Sequence, residues 1–151
     1  MTSPTQRTLA CCKARGWTTR VVEHWNQYAG IRQDLWGLDI LCLTDEELVG
    51  IQCTSAANVS ARRNKLDGLP TTDKLLAAGV RVLVVGWSKR GPRGKRKLWA
   101  PVVYERIGPT WCEWTSEQLL VVFSPVSVAT VLQPVARTQG SALEEEAEPA
   151  D

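Results

Sequence analysis

The sequence predicts an α/β fold in which helices cover both faces of a mixed central sheet. Two neighbouring segments, at 35–43 and 48–54, are apolar at successive positions, as strands buried on both faces are. A segment of helical character follows them at 56–66. The predicted elements run in the order helix, three strands, one or two helices and two strands, which is typical of an α/β sandwich. With 151 residues, 44% of them hydrophobic, the chain is long enough for one such domain.

The N-terminal part is predicted to begin with a helix and a strand. Residues 5–13 are compatible with a short helix that ends near Gly16. Residues 17–22 (WTTRVV) are rich in β-branched and aromatic side chains, which favour a strand. The polar segment at 23–34 is predicted to be a loop.

The next two strands, at 35–43 and 48–54, are predicted to form a hairpin. Thr44-Asp45-Glu46-Glu47 lies between them and has the length and polarity of a hairpin connection. Ser55 is a suitable N-cap for the helix at 56–66. The remaining predicted elements are a short helix at 72–78, an apolar strand at 80–87, its hairpin partner at 97–107 and a small helix at 111–122.

The domain is predicted to span residues 1–132, followed by a disordered acidic tail at 133–151. No apolar run approaches the roughly 20 residues of a membrane-spanning helix. The first residues also lack the apolar segment of a secretory signal. We therefore expect a cytoplasmic protein without membrane contact. Five cysteines without regular spacing favour free thiols over a disulfide framework.

Charge is distributed unevenly along the chain. Between Arg81 and Lys97 there are seven basic residues and no acidic residue, whereas the last eleven residues hold five acids and no base. Because the whole chain has a net charge of +2, removing those five negative charges leaves +7 on the rest. A basic body favours a polyanionic partner. A solvated surface hairpin without a partner is the alternative interpretation.

A polar pair interrupts the two apolar strands of the predicted hairpin. If the connection closes symmetrically around Asp45 and Glu46, Asp39 lies directly opposite Gln52, with Cβ atoms about 4.5 to 5.5 Å apart. Thr54 points to the same face of the sheet. Such a cluster of oxygen-bearing side chains is typical of a hard-cation site, and magnesium is the natural candidate.

The helix after this hairpin carries cations on one face. At 100° per residue, Asn58, Arg62 and Lys65 share a face, while Val59 and Leu66 mark the neighbouring apolar stripe. If the stripe packs on the sheet, Arg62 or Lys65 reaches toward the polar pair. A metal-polarised water beside a cation is suited to phosphodiester hydrolysis.

These residues are part of a pattern that resembles a known protein family. The chain resembles the PD-(D/E)XK nuclease superfamily, which includes restriction enzymes and Holliday junction resolvases and shares an αβββαβ core. It looks most like a group of small bacterial and phage proteins with a Q-x-T variant of the motif. The shared blocks, within about residues 5–107, are VVEHW (21–25), DLWGLD (34–39), IQCTS (51–55), ARRNKL (61–66) and VGWSKR (85–90).

The resemblance implies a restriction-endonuclease-like core and a metal site. Asp39 matches the acidic residue of the second strand, and Gln52-Cys53-Thr54 occupies the acidic-x-lysine triplet. Asp39, Gln52 and the Cys53 carbonyl are then the expected ligands of Mg²⁺ or Mn²⁺. Gln and Thr replace the acid and the lysine of the usual triplet, so Lys65 on the helix is the expected substitute for the lysine.

The resemblance also implies a further acidic residue, which many relatives carry on the first helix. The first helix here has no Asp or Glu, so Glu23 is the expected substitute, with Asp34 behind it. The implied activity is Mg-dependent endonucleolytic cleavage of DNA, with branched substrates possible and RNA left open. Expected phosphate contacts are Arg62, Arg63, Lys89, Arg90, Arg93, Lys95 and Arg96.

Two other functions are compatible with the same sequence. One is a catalytically inactive nucleic-acid-binding module, marked by the altered triplet. The other is a protein-interaction factor of phage or host that uses the acidic tail. Trp36, Trp87 and Trp99 lie near basic or site segments and are candidates for stacking on bases. The apolar run at 119–132 is compatible with a homodimer contact or with the core.

Overall fold

A computed structural model of the chain describes residues 2–123. Within this range a mixed six-stranded sheet is flanked by four helices, and a separate two-stranded hairpin is inserted near the N-terminus. The helices are α1 Pro4–Ala14, α2 Val59–Asp67, α3 Pro70–Ala77 and α4 Ser116–Phe123. The strands are β1 Thr18–Val21, β2 His24–Asn26, β3 Ile31–Gln33, β4 Ile40–Leu43, β5 Leu48–Ser55, β6 Arg81–Arg90, β7 Leu98–Ile107 and β8 Thr110–Glu113.

The sheet order is β1-β4-β5-β6-β7-β8. Strands β5 and β6 are parallel, and the crossover between them contains α2 and α3. All other neighbours in this sheet are antiparallel. The predicted α/β class with a mixed sheet and flanking helices is therefore confirmed.

Each face of the sheet buries its own set of apolar side chains. Strand β5 alternates between them: Val49, Ile51 and Cys53 pack in the core that also contains Cys12 of α1 and Val122 of α4. The opposite face packs against the apolar stripe of α2, Val59 and Leu66, together with residues of α3. Strands buried on both faces explain why the segment around residue 50 is apolar at successive positions.

One glycine permits the close approach of α2 to the sheet. A Cβ atom on Gly86 of β6 would lie 2.4 Å from Val59 Cγ2 and 3.0 Å from Ala56 Cα. Ala56 belongs to a short 3-10 turn, Ala56–Asn58, that precedes α2. Ser55 occupies the predicted cap position with extended backbone, but its side chain makes no capping hydrogen bond.

The predicted strand at 35–43 is wrong in its first half. Only Ile40–Leu43 is a strand, because the chain reverses in a tight turn between Leu35 and Leu38. The two central residues, Trp36 and Gly37, have φ of 56° and 82°. Positive φ at both central positions is typical of a type I′ turn. Residues 35–38 therefore form a turn, and the strand begins only at Ile40.

The polar loop predicted at 23–34 is also wrong, since it contains the antiparallel β2–β3 hairpin. The helix predicted at 111–122 divides into two elements. Its first residues, 111–113, pair with β7 as part of β8, and α4 begins only at Ser116. The other predicted elements are present with boundaries shifted by up to three residues.

Several predictions concern residues outside the described range. They are the domain boundary at 132, the acidic tail at 133–151 and most of the apolar run at 119–132. None of the helices within residues 2–123 combines the length and apolarity needed to cross a membrane. All five cysteines fall within the described range and are free thiols, as expected.

Candidate active site

Asp39 and Gln52 face each other, as the hairpin register predicted. Ile40 pairs with Ile51 and Leu43 with Leu48, so the four-residue connection closes symmetrically. Gln52 Nε2 donates to Asp39 Oδ2 over 2.6 Å. Both side chains are buried, at 4% and 3% exposure.

The backbone of Asp39 is fixed on both sides. Its N–H donates to the Ile51 carbonyl at 2.8 Å, and its carbonyl accepts from the Val22 N–H at 2.8 Å. Because the chain turns away at Trp36 and Gly37, β4 does not continue alongside the end of β5. The Cys53 N–H, which has no neighbouring β4 carbonyl there, donates instead to Asp39 Oδ2 at 2.8 Å.

The electrostatic environment makes ionisation of Asp39 costly. Burial raises the pKa of Asp39 to about 7, although the Cys53 N–H opposes this rise. The neighbouring carboxylates of Glu23 and Asp34 contribute to the same rise. Binding of either a proton or a cation removes the unfavourable free energy of a carboxylate that is desolvated beside other carboxylates.

Gln52 and Cys53 add neutral oxygen atoms to this site. Gln52 Oε1 is buried and has no hydrogen-bond partner within residues 2–123. The Cys53 carbonyl lies 3.4 Å from Gln52 Nε2, close to the same carboxylate. An unpartnered buried acceptor is unfavourable unless a donor or a cation meets it.

These groups open into one cleft of about 830 Å³. Glu23 lies in its wall, 3.2 Å from the Arg32 guanidinium. Thr54, 6% exposed, also lines the cleft, beyond Gln52 on the same face of β5. On the other side the N-terminal end of α1 contributes Ser3, Pro4, Thr5 and Gln6.

The helical cations lie where the helical spacing predicted. Asn58, Arg62 and Lys65 all line the cleft. Lys65 Nζ contacts Asp34 Oδ2 at 2.5 Å, and Asp34 Oδ1 accepts from the Gly37 N–H at 3.1 Å. Asp34 thus connects the ammonium to the turn that precedes Asp39. The sequence indicated Asp34 as a second acid behind Glu23 and gave no sign of its pairing with Lys65.

The predicted phosphate contacts fall into three places. Arg62 lies in the cleft, whereas Arg63 does not line it: its guanidinium stacks over the Tyr104 ring of β7, 4.3 Å from the centroid. Neighbouring helical positions differ by about 100°, so two adjacent arginines point to different surroundings. The third place is the basic turn, by which we mean the exposed end of β6 and its connection to β7; it contains Lys89, Arg90, Arg93, Lys95 and Arg96.

The basic turn lies beyond the end of β5 at which the polar pair is found. Ser55, the last residue of β5, is opposite Trp87 of the parallel strand β6. Strand β6 continues to Arg90, so Lys89 and Arg90, which pair with β7, extend past the end of β5. The cleft and the basic turn therefore belong to the same end of the sheet.

The tryptophans differ in exposure. Trp87 is buried, with its indole N–H donating to Thr8 Oγ1, so the prediction that it stacks on bases is wrong. Trp99 is 44% exposed and lies under the Arg7 guanidinium, and Trp36 is 47% exposed. Sequence reasoning missed Trp25 and Tyr28, on the hairpin it had interpreted as a loop. Their aromatic character within a polar segment was the available signal.

Within residues 2–123, no three His, Cys, Asp or Glu side chains form a metal-ligating cluster. The site instead combines Asp39 and Glu23 carboxylates with the Gln52 amide oxygen and a backbone carbonyl. This donor set is compatible with Mg²⁺, which proteins hold through one or two carboxylates while it keeps several waters. Comparison of the chain with family models, with curated proteins and with solved structures finds no match.

Proposed function

We propose that this protein is a magnesium-dependent nuclease that hydrolyses phosphodiester bonds in DNA, with a PD-(D/E)XK-like, restriction-endonuclease-like core. The observation that carries the proposal is the convergence, in one cleft, of the buried Asp39 carboxylate, the Lys65 ammonium and Gln52 Oε1, which has no partner among residues 2–123. The observed order of α1, β1, β4, β5, α2 and β6 agrees with an αβββαβ core into which one hairpin is inserted.

The cation is proposed to bind at Asp39, Gln52 Oε1 and the Cys53 carbonyl, with Glu23 as the second carboxylate. It would supply Lewis acidity and a water molecule of lowered pKa for attack on phosphorus. Asp39 and Glu23 provide the negative charge, and their proximity raises the pKa of Asp39 in the absence of a cation. Thr54, in the position of the triplet lysine, lines the cleft but brings no charge.

Lys65 is proposed to take the place of that lysine. Its side chain is 40% exposed and lines the cleft, and its ammonium contacts the Asp34 carboxylate. A cation in this position orients the attacking water and stabilises the charge that develops on the phosphoryl oxygens. Asp34 is a positioning residue here, because it joins Lys65 to the Trp36-Gly37 turn rather than to the polar pair.

Phosphate contacts are proposed for Arg62 in the cleft and for the exposed turn between β6 and β7. These guanidinium and ammonium groups lie at the same end of the sheet as the polar pair. Contacts of this kind carry no sequence information and give an affinity that falls steeply with salt.

The test is cleavage of branched, single-stranded and duplex DNA, and of RNA, with Mg²⁺ or Mn²⁺. Asp39→Ala and Lys65→Ala should each lower the rate by at least about 100-fold, the scale of a lost general acid–base or electrostatic group. Lys74→Ala, an exposed lysine on α3 that does not line the cleft, is the matched control and should cleave like wild type. Activity that survives both site substitutions contradicts the proposal.

A nucleic-acid-binding module on the same fold is the second candidate. Gln52 and Thr54 favour it, because they replace the acid and the lysine of the usual triplet with uncharged groups. Binding of DNA without cleavage under all metal conditions would favour this module over the nuclease. If the protein neither binds nor cleaves DNA, the protein-interaction factor remains as the alternative.

A further inference from the structure

The β2–β3 hairpin borders the cleft through Arg32 and takes no part in the proposed chemistry. It forms its own two-stranded sheet and, over the described range 2–123, pairs with no strand of the main sheet. Its base is joined to the cleft, since Glu23 lies before β2, and Arg32 of β3 contacts the Glu23 carboxylate at 3.2 Å. An isolated two-stranded hairpin is marginally stable in water, and the Glu23–Arg32 ion pair ties this one to the cleft.

One face of the hairpin presents an indole beside the cleft. Trp25 and Arg32 are directly paired across the two strands. Directly paired residues of an antiparallel hairpin point to the same face. Arg32 lines the cleft, so Trp25 lies on the hairpin face that leads to the cleft, outside the lining itself, and it is 61% exposed.

The tip of the hairpin combines an ordered backbone with an exposed ring. Asn26 Oδ1 accepts from the N–H groups of Tyr28 and Ala29, and Asn26 Nδ2 donates to Gln33 Oε1. Tyr28 is nevertheless 93% exposed. A fixed backbone that holds an aromatic ring in solvent is suited to contact with a flat, apolar ligand surface.

A second exposed indole lies on the turn that connects the hairpin to the polar pair. Trp36 is 47% exposed and has φ of 56°, in the left-handed region that non-glycine residues rarely adopt. Between the hairpin and this turn lies Asp34, which lines the cleft and holds Lys65. Exposed aromatic residues therefore precede and follow Asp34 in the sequence.

We propose that Trp25 and Tyr28 stack on unpaired bases, so that the substrate of the cleft is DNA with a single-stranded segment next to the bond that is hydrolysed. The proposal rests on the function proposed above and specifies its substrate class. Bases within a continuous duplex have their faces covered by neighbouring pairs, whereas unpaired bases offer a face to an aromatic side chain. The guanidinium of Arg32, with 74% of its side chain exposed, provides a phosphate contact on the same face.

The test separates binding from cleavage. Affinity for a fluorescently labelled oligothymidylate and for a duplex of equal length is measured by anisotropy in EDTA, where no hydrolysis takes place. Trp25→Ala and Tyr28→Ala should each weaken single-strand binding by about tenfold and duplex binding by less than about twofold. Trp25→Phe should restore most of the affinity. Ile107→Ala is the control, since this 54% exposed residue lies at the end of β7 away from the basic turn and should change neither affinity.

The outcomes distinguish this inference from the nuclease proposal. An equal loss of single-strand and duplex affinity, or no loss in either aromatic variant, overturns the inference, as does a wild type that does not bind the single strand. If the selective loss is found but the wild type cleaves nothing, the inference on binding stands and hydrolysis fails. Quenching of 2-aminopurine in the single strand by wild type, but not by Trp25→Ala, reports the stacking directly.

Discussion

The free energy of unfolding should depend on pH through one buried carboxyl group. Burial, and then the neighbouring carboxylates, raise the pKa of Asp39 to about 7 in the folded protein, while an unfolded aspartate has a pKa of about 3.9. Between these two values the folded state holds a proton that the unfolded state has lost. Stability rises with pH only where the unfolded state binds more protons, so here stability falls as pH rises from about 4 to about 7.

The magnitude follows from the same two pKa values. A difference of about three units, at about 1.36 kcal/mol each, corresponds to about 4 kcal/mol. Asp39→Asn removes this dependence and keeps an oxygen that accepts from the Cys53 N–H. The free energy of unfolding of this variant, relative to that of wild type, should therefore rise by up to about 4 kcal/mol between pH 4 and pH 8. Urea denaturation in EDTA, followed by tryptophan fluorescence, measures the difference.

The control for this measurement is Asp45→Asn, which removes a carboxylate from the exposed β4–β5 connection. Its stability difference from wild type should be the same at both ends of the pH range. Above pH 7, magnesium should recover part of the stability that wild type has lost between pH 4 and pH 7, because a cation replaces the proton on Asp39. If the difference between wild type and Asp39→Asn changes by less than about 0.5 kcal/mol across the range, the burial argument for this carboxyl group is refuted.

Three further predictions test other parts of the structure. Gln52→Glu adds a carboxylate beside Asp39, so magnesium should raise the melting temperature of this variant more than that of wild type in calorimetry; an equal effect contradicts the metal site. Gly86→Ala places a methyl group 2.4 Å from Val59 Cγ2, and denaturant unfolding should show a loss of about 1 to 3 kcal/mol. A variant as stable as wild type would show that α2 can shift away from the sheet. Arg96→Ala should reduce the slope of log affinity against log salt by about 0.9 for duplex DNA, and an unchanged slope removes this arginine from the phosphate contacts.

The facing of Asp39 and Gln52 was predictable because few quantities determine it. A four-residue connection fixes the register of a hairpin, and the two-residue period of a strand then fixes the face of every side chain. The face shared by Asn58, Arg62 and Lys65 followed in the same way from the helical period. Local geometry was sufficient in both cases.

The parts that sequence reasoning missed depend on features that a pattern does not carry. The strands β2 and β3 are three residues long, so no alternation develops, and their polar composition is typical of a loop. The turn at 35–38 requires Trp36 at positive φ, whereas the apolar residues around it favour a strand. The pairing of Lys65 with Asp34 spans 31 positions and depends on how α2 packs on the sheet.

The polar pair lowers the free energy of unfolding, and this effect connects stability to the proposed function. Two groups lower stability relative to apolar residues of the same size: a carboxylate at 4% exposure with other carboxylates nearby, and an amide oxygen that has no partner in the described part of the chain. The opposite face of the same strands is filled by an apolar core, which stabilises the sheet independently of the pair. A cation at this position would meet both unfavourable groups at once, since it neutralises Asp39 and gives Gln52 Oε1 a partner. The Asp39 carboxylate should therefore both make the apo protein less stable at neutral pH and bind a divalent cation, and removing it should weaken both effects together.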